Sequence, residues 1–388
     1  MNNEEVKNNE DAVSSPFSGR RGLHFIMAGG GTGGHIFPAV AIANAIKQIN
    51  PDAEILFVGA KGKMEMEKVP LAGYEIKGLD IVGFNRSSLI KNMGLPFKLL
   101  KSFIQVRTII NKFKPDAVIG VGGYSSFPVL RFAQSKSIPT FIHESNSFAG
   151  KANMMLGKKA NKVFVASEGM EKFFPAHKIM ITGNPVRTSI AHSTIIKAEG
   201  LNYFGFDASK KTVLVVGGSL GAKSINEAID AGIEEFEKNN LQLIWQTGKP
   251  YAEKAKERAK GKLNVWVNEF ITQMEHAYTA ADVVISRAGA MAIAEICLIG
   301  KPAVFVPFPY AAEDHQTENA KYLVLKNAGV MVKDDEAKGK LVTTIIELLK
   351  NETKQKELIQ NISKLSKADA DKIIANEVLN TIRTLTAD

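Results

Sequence analysis

Short runs of apolar, mostly β-branched residues alternate along this chain with longer stretches whose apolar positions recur at helical spacing. The runs "LHFIMAG", "EILFVGA", "AVIGVGG", "PTFIHE", "KVFVAS" and "IMITGNP" lack polar alternation, the pattern of parallel strands buried on both faces. The amphipathic segments between them predict helices in right-handed crossovers. A second series begins at "KTVLVVGGSLGAKSINEAI" and continues with "LQLIWQTG", "LNVWVNEF", "ADVVISRAG" and "PAVFVPFP". Each series opens with strand, glycine-rich turn and helix. The pattern predicts an α/β protein of two doubly wound domains facing across a cleft, with the linker between "GNPVR" and "DASKKTVLVV".

A length of 388 residues suits two domains, read here as 23–190 and 191–388. Residues 1–22 are polar and acid-rich, without the apolar core of a signal peptide, and read as a disordered tail. Leu23 to Ile46 carries no formal charge and is long enough for a membrane span, but glycines and Pro38 divide it into strand and helix. The chain is therefore expected in the cytoplasm, with membrane contact peripheral. One cysteine, Cys297, excludes an internal disulfide and a cysteine-rich metal cage. The net charge of +9 favours an anionic partner: nucleotide, nucleic acid or anionic lipid.

The stretch "GGGTGGH" at Gly29–His35 sits between a strand and a helix. It formally satisfies G-x-G-x-x-G, yet the second strand ends "LFVGAKG", without the acid a dinucleotide ribose needs. No G-K-[ST] follows, so it is not an NTPase phosphate loop. Bare amides at a helix start still suit an anion or a sugar hydroxyl. His35 follows the glycines, where a helix N-terminus favours a neutral ring able to accept a proton. "GGSLGA" repeats the device, with Ser219 placed either to meet a phosphate or simply to cap a helix.

Other candidates carry two readings each. Arg187 in "GNPVR" suits a phosphate or a surface ion pair. Glu295 suits a bidentate grip on ribose hydroxyls or a solvated helix face. Gln316 and Asn319 suit sugar hydroxyls or a helix cap. His143 and Glu144 are adjacent on a strand end and should face opposite ways, one of them into the core. No His, Cys and Asp cluster has metal-ligand spacing.

The stretches "GGGTGGHIFPAVAIA", "GVGGYSSFP", "HESNSFAGKAN", "TGNPVR", "GGSLGAKSIN", "SRAGAMAIAEI" and "KPAVFVPFPYAAEDHQTENA" together resemble the MurG family of N-acetylglucosaminyltransferases. The resemblance runs from Leu23 nearly to the end. It implies a GT-B fold with an N-terminal acceptor domain and a C-terminal donor domain, whose last helix packs back on the first. It also implies inverting transfer of GlcNAc from UDP-GlcNAc to lipid I, giving lipid II, with no cofactor and no bound metal.

By motif, Thr32, Gly33 and Gly34 would approach the donor sugar and diphosphate. Asn146 and Gln316 resemble sugar contacts, and Arg187 and Ser219 diphosphate contacts. Ile271 resembles the residue whose backbone reads the uracil edge. Ala290, Met291 and Ala292 would line the diphosphate, and Glu295 resembles the ribose-binding acid. Many relatives carry a hydroxyl residue where this chain has Ala292, so a side-chain contact there is replaced by the backbone amide or lost. His35 is the expected base for the acceptor hydroxyl. The 2-epimerases that use UDP-GlcNAc share the architecture and are the enzymatic alternative. A non-catalytic nucleotide-binding membrane scaffold is the other.

Between Ile81 and Pro115 there is no acidic residue, while Arg86, Lys91, Lys98 and Lys101 stand among many apolar ones. Leu99, Phe103, Val106, Ile110 and Phe113 recur at helical spacing and are assigned to the core. Phe84–Leu100 has more apolar residues than one buried stripe needs, and Pro96 splits it. The excess predicts an exposed patch that docks on the anionic cytoplasmic face of the inner membrane. Nucleic acid is not expected, because no recognition motif accompanies the charge.

Overall fold

The computed structural model describes residues 22–82, 95–218, 220–311 and 314–387. Arg86, Lys91 and Ser219 lie outside them, as does the acidic N-terminal stretch. The first lobe is built on β1 (His24–Gly29), β2 (Glu54–Ala60), β3 (Glu75–Leu79), β4 (Ala117–Gly122), β5 (Thr140–Glu144), β6 (Lys162–Val165) and β7 (Ile179–Ile181). They form one sheet in the order β3-β2-β1-β4-β5-β6-β7. The second lobe uses β8 (Lys211–Val216), β9 (Leu241–Gln246), β10 (Val265–Asn268), β11 (Val283–Ser286), β12 (Ala303–Phe305) and β13 (Val330–Met331). Their order is β10-β9-β8-β11-β12-β13. Each recorded pairing is parallel, as unbroken apolar runs joined by helices require.

Strand order reverses beside β1 in the first sheet and beside β8 in the second. Both glycine loops leave the carboxyl ends of those strands, where an open α/β sheet offers a crevice. Each sheet is covered on both faces by apolar clusters. One face of the first sheet is closed by Ile374, Ala375, Val378, Leu379 and Ile382 from the helix Ala370–Ala387. That helix follows the whole second lobe in sequence and packs against the glycine-loop helix Gly33–Ile49.

The helix Leu95–Phe113 carries the basic stretch. Val106 and Ile110 are buried, as the apolar stripe requires, but Leu99 is 36% exposed and falls outside the core. Phe97, Leu100 and Ile104 are 78%, 62% and 61% exposed. Pro96 occupies the first turn of this helix, where a proline costs no intrahelical hydrogen bond, while the part of the segment before Leu95 lies outside the described residues. Lys98 is exposed, whereas Lys101 pairs with Asp80 at 2.9 Å. Asp80 also meets Lys61 at 2.8 Å, and hydrogen bonds from the two lysines hold its carboxyl well below the usual range. Among the described residues no helix is long and apolar enough to cross a membrane.

Candidate active site

An account of the amides explains what the first glycine loop can hold. Gly30 N–H donates to the Gly122 carbonyl at 3.3 Å, and Gly31 N–H to Glu65 Oε2 at 2.7 Å. The helix begins at Gly33 with Thr32 as its extended N-cap, whose side chain makes no cap bond. The amides of Thr32, Gly33 and Gly34 therefore have no carbonyl to bond within the helix and form a donor cluster at the positive end of its dipole. His35 N–H closes back on Thr32 O at 3.1 Å.

The His35 ring is fixed from both sides. Its Nδ1 lies 3.0 Å from the Gly30 carbonyl, which can only accept, so Nδ1 carries the proton. In the neutral ring Nε2 is then the basic atom. Gly122, at φ +99°, gives the ring room: a Cβ there would stand 2.8 Å from Nε2. Burial pulls the His35 pKa below 6.5, and nearby His315 adds to that. The Gly30 bond and the charges of Glu144 and Glu65 act in the opposite direction.

At the end of β5 both His143 and Glu144 are buried, so the expectation of one core residue corrects to two. Glu144 organises the next loop. Its Oε1 accepts from Asn146 N and Nδ2 at 3.1 and 3.2 Å, and its Oε2 from Gly150 N and Asn153 Nδ2 at 3.1 and 2.8 Å. That loop structure explains the double burial. With Nδ2 spent, Asn146 has its Oδ1 left for a hydroxyl donor. His143 is pushed down to about 4, by burial above all.

Across the cleft, the helix Ala290–Ile299 starts after β11 with Gly289 as its N-cap. The first-turn amides of Ala290, Met291 and Ala292 form a second donor cluster. It needs no side-chain hydroxyl, which accommodates an alanine at 292. Glu295 lies one turn further on and is 6% exposed. Its Oε1 accepts from Arg187 Nε at 2.8 Å and its Oε2 from the Tyr278 hydroxyl at 2.9 Å. Neither sequence reading of Glu295 describes this state: the carboxylate is not solvated, and neither oxygen is free. Arg187 is likewise not a surface ion pair, since its guanidinium also lies over the Phe37 ring at 5.3 Å.

Three further expectations change in detail. Ile271 is buried and its N–H donates to Gln246 Oε1 at 3.0 Å, which leaves its carbonyl to meet a base edge. Gln316 accepts from Phe308 N at 3.0 Å through Oε1, leaving Nε2 for a sugar hydroxyl. Asn319 is spent on structure, accepting from Ser147 N at 3.2 Å in the other lobe and donating to Ala288 O at 3.2 Å. Asn184 bridges the lobes as well, with Nδ2 3.0 Å from Ser145 O and 3.4 Å from Ala290 O. A cavity of about 210 Å³ beside these contacts is lined by Asn184, Ala290, Cys297 and Tyr322 among others, but not by His35 or Glu295.

Sequence reasoning missed Glu65, Tyr278 and Arg287. Glu65 reads as one more helix carboxylate in "KMEMEKV", and nothing local marks Tyr278. Arg287 was legible only as part of "SRAG", yet it bonds Asp334 and Ser224, reaches the Val306 and Pro307 carbonyls at 3.1 Å, and lies over Phe308. It ties the segments after β12 and β13 to the start of the helix Lys223–Ala231. Among the described residues no three His, Cys, Asp or Glu side chains converge as a metal cage.

Residues 25–165 match the Glycosyltransferase family 28 N-terminal domain, and residues 212–374 the Glycosyltransferase family 28 C-terminal domain. A relative from Phocaeicola vulgatus is 52% identical over 92% of this chain and 96% of its own length. One from Parabacteroides distasonis is 50% identical over 93% and 99%. Both bear the name UDP-N-acetylglucosamine--N-acetylmuramyl-(pentapeptide) pyrophosphoryl-undecaprenol N-acetylglucosamine transferase. The crystal structure of Acinetobacter baumannii MurG superposes with a TM-score of 0.74 at 30% identity, covering 92% of this chain and 99% of that one. A UDP-N-acetylglucosamine 2-epimerase structure reaches 0.65 at 16% identity over 93% and 96%, which shows the shared fold alone. The two facing lobes are a GT-B fold, and the chain belongs to the MurG family of glycosyltransferases.

Proposed function

We propose that this enzyme transfers GlcNAc from UDP-GlcNAc to the 4-hydroxyl of the MurNAc residue in undecaprenyl-pyrophosphoryl-MurNAc-pentapeptide (lipid I), giving lipid II. The observation that carries the reading is the His35 ring: Nδ1–H is held by Gly30 O, so Nε2 is its basic nitrogen, on the residue that follows the free amides of Thr32–Gly34. The acceptor O4 attacks C1 of the donor sugar while its proton passes to Nε2. The bond from C1 to the β-phosphate oxygen breaks, and UDP leaves with the electron pair. A single displacement inverts the anomeric centre.

Charge on the departing diphosphate falls on the amides of Ala290, Met291 and Ala292, on Ser219, and on Arg187 once it leaves Glu295. Glu295 then takes the ribose hydroxyls, the Ile271 carbonyl meets the uracil edge, and Asn146 Oδ1 and Gln316 Nε2 hold the sugar. Residues 23–190 serve the acceptor and 191–388 the donor. The patch of Phe97, Leu100 and Ile104 with Lys98 docks the first lobe on the anionic cytoplasmic face of the inner membrane, where a lipid-linked acceptor resides. Residues Arg86 and Lys91 extend its charge in sequence, and Lys101 contributes less, being engaged by Asp80.

The test is incubation with UDP-GlcNAc, with and without a soluble lipid I analogue. UDP release that requires the acceptor supports the transferase. Conversion of the sugar without acceptor would move the reading to the epimerases, and nucleotide binding without either reaction to a scaffold.

A further inference from the structure

Glu65 is 1% exposed and lies at the start of the helix Glu65–Leu71, beneath the first glycine loop. Its two oxygens accept from two different segments: Oε2 from Gly31 N at 2.7 Å and Oε1 from Ala60 N at 2.9 Å. The side chain thus ties the loop after β1 to the end of β2. Two glycines make the space. A Cβ at Gly30 would stand 2.3 Å from the carboxyl carbon, and one at Gly59 would stand 2.5 Å from Glu65 Cγ. A run of glycines has wide backbone freedom, so a convergent set of amides requires an external restraint. Here the restraint is a pair of charge-assisted bonds in a water-poor site.

We propose that Glu65 is a positioning residue for the transfer, holding the glycine loop in the shape that presents the Thr32–Gly34 amides and His35 Nε2 to the cleft. The inference rests on the functional reading above. It gives the carboxylate two separable effects. The geometric one runs through Gly31 to the loop. The electrostatic one acts on His35, which faces the charges of Glu65 from its helix and Glu144 from β5, His315 from the helix His315–Leu325, and the buried His143. Glu65 and Glu144 raise the His35 pKa, and His315 lowers it. Removing the Glu65 charge therefore moves the His35 midpoint down.

The experiment compares the full chain with Glu65→Gln and Glu65→Asp, using ring-labelled histidine NMR, thermal melting and turnover with UDP-GlcNAc and a soluble lipid I analogue. Glu65→Gln keeps the volume but offers one acceptor and no charge. Its kcat should fall by roughly 10–10²-fold with donor KM nearly constant, and both the His35 midpoint and the acid limb of kcat should move to lower pH. Glu65→Asp keeps the charge but is too short to span both amides. It should lose kcat while its His35 midpoint stays near wild type.

Wild-type kcat in either variant, or an unmoved His35 midpoint in folded Glu65→Gln, would overturn the proposal. If Glu65→Gln does not fold, the kcat of Glu65→Asp decides. If the wild-type chain shows no transfer, the functional reading fails, while the His35 midpoint still decides whether Glu65 acts on that ring.

Discussion

Arg187 Nε donates to Glu295 Oε1 at 2.8 Å, joining the segment after β7 to the helix that presents the donor amides. The pair holds together the two groups that the proposed function assigns to diphosphate and to ribose. On the proposed function donor binding would be an exchange, with ribose hydroxyls replacing Arg187 and Tyr278 on the carboxylate and the freed guanidinium turning to the phosphates.

Glu295→Gln should weaken UDP binding by about 1.5–3 kcal/mol, the worth of a hydrogen bond to a charged group. Calorimetry with a 2′,3′-dideoxyribose analogue should show a much smaller loss, and equal losses would remove Glu295 from the ribose site. Burial raises the Glu295 pKa, against the opposing pull of Arg187 and Tyr278. The carboxylate accordingly takes up its proton above the ordinary glutamate range, and UDP affinity should decline on acidification before an exposed carboxylate would titrate.

His35→Ala should lower kcat by roughly 10²–10⁴-fold and leave donor KM nearly unchanged, because the proposed function has the donor held mainly by the second lobe. A base works when unprotonated, and burial lowers the His35 pKa. The acid limb of the wild-type kcat profile should therefore lie below pH 6.5, the ordinary histidine value. Near-wild-type turnover of the variant at saturating acceptor would exclude His35 as the base.

Arg287→Ala leaves two carbonyls without their donor and Asp334 with only the Ser224 hydroxyl, at a site where the arginine side chain is only 12% exposed. Leaving partly buried acceptors without their donor costs about 1–3 kcal/mol, which should appear as a fall in Tm. UDP affinity should fall with it, since the segment leading into the helix Ala290–Ile299 loses its anchor. An unchanged Tm would show that the pair contributes nothing net.

Phe97→Ser/Leu100→Ser should abolish sedimentation with anionic vesicles while leaving Tm and turnover on a short-chain soluble acceptor intact, because both side chains already face solvent. Lys98→Glu should weaken binding by about 1 kcal/mol or more. Lys101→Ala should do less, as its charge is engaged by Asp80. Full vesicle binding by the double serine variant would place the membrane contact elsewhere.

The two-lobed plan was legible because unbroken apolar runs and helical spacing report burial directly. Two strands escaped that reading. β3 alternates exposed and half-buried positions at a sheet edge, and β13 is only two residues long. The free amides of Thr32–Gly34 and the His35 base were visible as composition at a strand-to-helix turn. Their constraints were not, because Glu65 reaches the loop from the helix after β2 and Gly122 from β4, and spacing carries no such information. Glu295 shows the same limit: a carboxylate on a helix reveals its type in sequence, but its burial and its two partners are tertiary.

The helix Ala370–Ala387, which closes one face of the first lobe, also decides when that lobe can be finished. On a ribosome the sheet β1 to β7 emerges first, but part of the cover over one of its faces is translated last. Between those events the cluster of Phe25, Met27, Ile119 and Phe141, already packed by Ile36, Ile42 and Ile46 of the helix Gly33–Ile49, lacks its outer cover while the whole second lobe is made. The return path passes directly over the outgoing one, since a Cβ at Gly183 would stand 2.4 Å from Lys367 Cβ. The first lobe to be synthesised is thus the last to be completed, and its assembly is the step at which a chaperone has most to protect.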